Sequence, residues 1–174
     1  MKSIDNISES EIKMVKNPRP RKVSIFKAKS SFSSIKSRLE CNCPKILIVD
    51  DDVSNRFVLA NYCKKVAIRY DEAKDGEEAI EKVTNYQTSI NCCINYKLIF
   101  MDYNMPKMNG DEAAIEIKKY VKVNFGIDIL IIGLSGNNLE EGVFRSFTGS
   151  KLFDTIVEKP LTFEKFKYVL YSYI

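Results

Sequence analysis

Histidine and tryptophan are both missing from this 174-residue chain. Without histidine, the chain cannot assemble a Ser-His-Asp triad, a histidine-ligated metal or a phosphohistidine of its own. Any phosphate that travels through a histidine must therefore come from another protein or another domain. Cysteine is scarce and odd in number: Cys41, Cys43, Cys63, Cys92 and Cys93. An odd count with no continuous apolar leader argues against a disulfide framework. Their spacings lack the CxxC pairs that zinc favours, so free thiols are expected. Long apolar runs are also absent, and none approaches the roughly 18–20 residues of a membrane helix. The expected location is cytoplasmic, with no membrane segment.

Hydrophobic residues make up 45% of the chain, enough for a packed core, and charged residues 29%. The charge is unevenly placed. Residues 1–43 carry ten Lys/Arg and four Asp/Glu, a net of +6; residues 44–174 carry seventeen and nineteen, a net of −2. Pro18 and Pro20 each remove a backbone donor, and serines alternate with the basic residues. Residues 1–43 are therefore read as a basic linker or disordered tail, and 44–174 as the folded domain.

From Pro44 onward, short apolar runs alternate with stretches of helical spacing. Strands are expected at 45–50, 67–73, 96–102, 128–135 and 151–159. Helices are expected at 53–66, 75–83, 111–124, 137–147 and from a Thr162 cap to Tyr171. NMPKMNG at 104–110 is a loop punctuated by Pro106 and Gly110. TSINCCINYK at 88–97 reads as a surface insertion. Strands apolar on both faces and separated by helices imply an α/β fold. Its core would be a five-stranded parallel sheet, doubly wound, with helices on both sides.

Such a sheet places its ligand site beyond the carboxyl ends of the strands. The first strand ends in Asp50, Asp51 and Asp52, the third in Asp102, the fourth in Ser135 and the fifth in Lys159. Clustered carboxylates repel one another unless a cation or protons intervene. A hard divalent cation with oxygen ligands, Mg2+ first among them, suits the set. With a lysine and a hydroxyl opposite, the constellation fits phosphorylation of a carboxylate. A single aspartate at a strand end is usually a turn residue or a helix cap. The conjunction across separate strand ends carries the argument.

The segments ILIVDDD, LIFMDYNMPKMNG, IIGLSGN and VEKP resemble the landmark stretches of response-regulator receiver domains, with MDYNMPKMNG the most specific. The resemblance spans roughly residues 44–174 and implies a flavodoxin-like (βα)5 fold. It implies Asp102 as phosphoacceptor, Lys159 and Ser135 as phosphoryl partners, and Mg2+ held by Asp50, Asp51, Asp102 and the Asn104 carbonyl. Asp51 would be the more direct ligand of the acidic pair. Gly136 fits the small residue after the serine, Asn104 and Asn137 match positions that tune dephosphorylation, and the Lys159–Pro160 bond is typically cis. The implied partners are a histidine kinase or histidine phosphotransfer protein and an unidentified downstream protein. The chain would act as a signalling module that assists its own phosphorylation and dephosphorylation, not as an enzyme with an independent substrate. No nucleic-acid-binding domain is read in it, and it would stand alone or form the receiver of a hybrid histidine kinase.

One position departs from the pattern. Three residues before the lysine, receivers usually carry Tyr or Phe, and here the residue is Ile156. A β-branched aliphatic cannot reproduce an aromatic rotamer switch. Ile156 thus motivates a second reading, a pseudo-receiver that binds partners without phosphate. A third, a hydrolase of the haloacid dehalogenase type, needs a DxD directly after the first strand. Asp50 and Asp52 formally meet it, but MDYNMPKMNG would then go unexplained.

Overall fold

The computed structural model describes residues 43–86, 95–136 and 152–173. The tail at 1–42, most of the 88–97 insertion, the helix expected at 137–147, Asn137, Cys41, Cys92 and Cys93 lie outside the described residues. In chain order the elements are β1 (Ile46–Val49), α1 (Val53–Lys65), β2 (Tyr70–Ala73), α2 (Gly76–Thr84), β3 (Leu98–Asp102), α3 (Gly110–Phe125), β4 (Leu130–Ser135), β5 (Thr155–Glu158) and α4 (Phe163–Tyr173). The strands form one sheet in the order β2-β1-β3-β4-β5. Every pairing is parallel. The expected doubly wound α/β architecture is therefore present.

Side chains alternate across the pleat of each strand. On one face, Leu47 and Val49 of β1 and Ile99 and Met101 of β3 pack against Ala79 and Val83 of α2 and Ala113, Ala114, Ile117 and Val121 of α3. On the other, Ile46, Ile48, Leu98 and Phe100 meet Leu59, Ala60 and Cys63 of α1 and Phe166, Val169 and Leu170 of α4. Phe100 and Phe166 stack with centroids 5.4 Å apart, and both are fully buried. Each such side chain contributes about 1.5–3 kcal/mol of hydrophobic stabilisation.

Helix starts follow the capping residues. The Asp52 carboxylate accepts the Ser54 N–H (2.7 Å), and Asp75 accepts that of Glu78 (2.8 Å). That bond holds the exposed Asp52 carboxyl below the usual carboxylate range. Glu112 reaches back to the Asn109 N–H at the start of α3 (3.2 Å), and Thr162 Oγ1 accepts the Lys165 N–H (3.3 Å), as expected for its cap. Every strand begins later than expected, β2 and β5 by three residues or more. Ala67 takes a left-handed φ of 54°, and the Ile68 N–H returns to the Cys63 carbonyl (3.0 Å), so β2 starts at Tyr70 rather than 67. The Asp154 carboxylate accepts the Ile131 N–H (2.9 Å), which replaces a ladder bond, so β5 starts at Thr155 rather than 151.

Candidate functional site

In the register, Val49 lies beside Met101 and Asp102 beside Leu134. Asp50 therefore follows β1 at the level where β3 ends, and Ser135 follows Leu134 on the next strand. Lys159 follows β5 directly, and its N–H donates to the Ser135 carbonyl (2.7 Å). Parallel pairing thus brings residues separated by more than a hundred positions to one edge. No single stretch of sequence contains this site.

Asp50, Asp51 and Asp102 each offer an oxygen, and the three oxygens lie within 4.8 Å of one another. Asp50 is fully buried, Asp102 nearly so, and Asp51 exposed. Lys159 Nζ bridges the two buried carboxylates, 2.7 Å from Asp50 Oδ2 and 2.9 Å from Asp102 Oδ2. Burial raises the Asp102 carboxyl above its ordinary range and Asp50's charge adds to this, against the opposing hydrogen bonds from Lys159 and the Asn104 N–H. Burial lowers the Lys159 ammonium, but its bonds to both carboxylates outweigh that and hold it above the ordinary value. The donor set is all oxygen, it is carboxylate-rich, and one member faces solvent. It fits a small hard cation better than a soft one.

Two groups that the sequence reading did not single out complete the β1 end. Asn55 Nδ2 donates to Asp50 Oδ1 (3.1 Å), and Arg56 donates to the carbonyls of Asp50 (2.6 Å) and Asp51 (3.2 Å). Their only sequence signal is position: they follow the acidic triplet by one helical turn. Asp52 has gone to the α1 cap and is not part of the three-carboxylate cluster. The second aspartate that a DxD site would need is thus engaged in capping α1.

Gly110 has a steric role. Its N–H donates to the Tyr103 carbonyl (2.9 Å), and a Cβ at this position would collide with the Asp102 carbonyl oxygen. Only glycine lets α3 start this close to the strand end. On the next loop, Lys159–Pro160 is cis. Gly136 is exposed, and among the described residues none lies within 4 Å of where a Cβ would stand. Ile156 is half-buried. Together with Phe153 it bounds the space beside Gly133, each lying 3.1 Å from where a Cβ would stand there. The Phe153 ring lies 6.2 Å from that of Tyr103, the residue after Asp102. The aromatic side chain packed beside Tyr103 and Gly133 is thus Phe153, three residues before Ile156 in the chain.

The family model described as response regulator receiver domain matches residues 46–170. The chain belongs to that family. Its receiver resembles the osmolarity two-component system protein SSK1 of Saccharomyces cerevisiae, with 37% identity over 60% of this chain and 14% of that protein. It also resembles hybrid signal transduction histidine kinase F of Dictyostelium discoideum, with 32% identity over 75% of this chain and 11% of that protein. The chain thus matches only a small part of these much longer relatives. Among solved structures, the receiver domain of the Arabidopsis thaliana histidine kinase CKI1 complexed with Mg2+ superimposes with a TM-score of 0.61 at 28% identity, covering 74% of this chain and 90% of that one. A chain from the co-crystal of the S. cerevisiae phosphotransfer protein Ypd1 with the Ssk1 receiver gives 0.58 at 26% identity, covering 75% and 90%. Among the described residues, no helix is long and apolar enough to cross a membrane.

Proposed function

We propose that residues 44–174 act as a phosphorelay receiver in which Asp102 accepts a phosphoryl group from a phosphohistidine of a histidine kinase or phosphotransfer protein, on another domain or another chain. The observation that carries this reading is the convergence of Asp50, Asp51 and Asp102 within 4.8 Å, with Lys159 bridging the buried pair. The missing histidine fits an external donor. The Ypd1–Ssk1 co-crystal supports the kind of partner, and the Mg2+ in the CKI1 receiver structure supports the kind of metal.

In the proposed transfer, an Asp102 carboxylate oxygen attacks phosphorus while the P–N bond to the donor imidazole breaks. The electron pair of that bond returns to the ring nitrogen. Burial raises the basicity of Asp102 and so improves it as a nucleophile. Lys159 meets a phosphoryl oxygen by charge-assisted hydrogen bonding, and the Ser135 hydroxyl donates to another. Asp50, Asp51, Asp102 and the Asn104 carbonyl would hold Mg2+, which would offset the carboxylate charge and bind a phosphoryl oxygen. In this reading the protein is cytoplasmic, residues 1–43 are a linker, and the module promotes its own phosphorylation and dephosphorylation.

Incubation with acetyl phosphate and Mg2+ should add one phosphate to the wild-type chain by intact mass, and none to Asp102→Asn. An undiminished adduct on Asp102→Asn would overturn the assignment. A partner complex unaffected by that substitution would instead support a phosphate-independent module.

A further inference from the structure

We propose that Asn55 and Arg56, neighbours on the first turn of α1, are positioning residues that set the acidic pair for the cation. The inference rests on the metal reading of the previous section. It concerns what holds the ligands before any cation arrives.

The end of β1 poses a physical problem. Asp50 is fully buried, yet its carboxylate lies close to two others. Mutual repulsion would rotate these side chains apart, and the Asp50 and Asp51 carbonyls lie beyond the β1 ladder. The first turn of α1 contributes to both needs. Asp50 Oδ1 accepts from the Asp52 N–H (2.9 Å) and from Asn55 Nδ2 (3.1 Å), while Oδ2 accepts from Lys159 (2.7 Å). The carboxylate plane is thereby fixed from three sides.

Arg56 fixes the backbone that carries it. One guanidinium nitrogen donates to the Asp50 carbonyl (2.6 Å) and the Asp51 carbonyl (3.2 Å), and Nε faces Glu72 Oε2 of β2 (3.4 Å). The Arg56 side chain is only 16% exposed, so this fork is held by its surroundings. The planar guanidinium can face the two carbonyls and the β2 carboxylate together, whereas the point-like ammonium of a lysine cannot reproduce that fork. Lys159 is shared with Asp102, whereas the Asn55 and Arg56 contacts join α1 to the ends of β1 and β2 and do not involve Asp102. They can persist when Lys159 turns to a phosphoryl oxygen.

The assignment predicts a defect in cation affinity with little change in the transfer step. Loss of a group that orients a metal ligand typically weakens binding about 10–100-fold. Titration calorimetry with MgCl2 on the full chain should show Mg2+ binding weakened by about tenfold in Asn55→Ala and Arg56→Met. Arg56→Lys should stay weak although it keeps the charge. In acetyl phosphate reactions, the Mg2+ concentration giving half-maximal rate should rise by the same factor, and the plateau at saturating Mg2+ should be retained.

Circular dichroism melts would identify any variant too unstable to assay. Glu72→Gln, which loosens the Arg56 tether from outside the site, would then be the test, with a smaller shift in the same direction. Wild-type binding with unchanged affinity in the variants would overturn the inference. So would tighter binding in Arg56→Met, because it would mean that Arg56 merely repels the cation. A lowered plateau at saturating Mg2+ would also overturn it and place these groups in the transfer itself. If the wild type binds no Mg2+, the metal reading fails first.

Discussion

Asp50 and Cys63 are both 0% exposed, one at the carboxyl edge of the sheet and the other beneath its α1–α4 face. Their surroundings treat charge in opposite ways. The Asp50 carboxylate is matched by an ammonium and two N–H donors within 3.1 Å. Cys63 sits among Ile46, Leu98, Phe100 and other apolar neighbours, and burial pushes its thiol up to about 12. Equal burial thus goes with a hydrogen-bonded carboxylate in one place and an apolar core in the other. The difference lies in whether the fold supplies partners.

The sharpest way to break this contrast is to remove the partner. Lys159→Met leaves Asp50 and Asp102 buried side by side without their shared cation. Breaking a buried ion pair from one side typically costs about 3–5 kcal/mol. Asp102 retains some solvent access, so a loss of about 3 kcal/mol in urea titration without divalent cations is expected. Added Mg2+ should recover part of it, and the acetyl phosphate adduct should fall sharply.

Gly110→Ala tests the edge by crowding rather than by charge. Overpacking against the Asp102 carbonyl should cost about 1–3 kcal/mol and slow phosphorylation. Gly126, with a φ of 66° and no described residue within 4 Å of a Cβ, tests the conformational penalty without a steric one. Gly126→Ala should cost about 1 kcal/mol and leave phosphorylation unchanged.

The core side of the comparison is tested by pH. The Cys63 thiol is raised in the fold, so the folded protein retains this proton longer than the unfolded chain. Its stabilising contribution is complete below about pH 9, the ordinary thiol range. It is then lost as pH rises toward 12, by up to about 1.4 kcal/mol per pH unit. Denaturation midpoints between pH 8 and 10 should fall less steeply in Cys63→Ala than in wild type. In the native wild type, Cys63 should also resist alkylation at pH 8. The smallest effect is expected at Lys107, an exposed residue with φ of 70° that lies 3.7 Å from Asp75 and 3.9 Å from Glu77. Lys107→Gly should change stability by less than about 1 kcal/mol, in the stabilising direction. Relief of the left-handed strain slightly exceeds the loss of two weak surface pairs.

The alternation of strands and helices was legible because burial on both faces leaves continuous apolar runs, as in LIFMD and ILIV. Element starts were less so. At Ala67 and Asp154 a local backbone turn or a side-chain bond replaces the ladder, and hydropathy carries no trace of either. Asp50, Asp51, Asp102, Ser135 and Lys159 could be picked out because each stands where an apolar run stops. Asn55 and Arg56 could not, since polar residues on a first helical turn are ordinary. Ile156 showed the missing aromatic, but nothing in the linear order revealed Phe153 beside Tyr103.

Amino-acid order specifies which groups can take part: no histidine, a triplet of aspartates, and one aspartate closing the third strand. It determined the sheet as well, because only a parallel arrangement with two covered faces buries such runs. Tertiary structure alone decided how those groups divide the work. Asp52 caps a helix, Asp50 is held from three sides, and Lys159 bridges to Asp102. The cap is local, but the bridge depends on distances of 2.7 and 2.9 Å between a residue after β5 and residues at the ends of β1 and β3. Such distances arise only when the strands align.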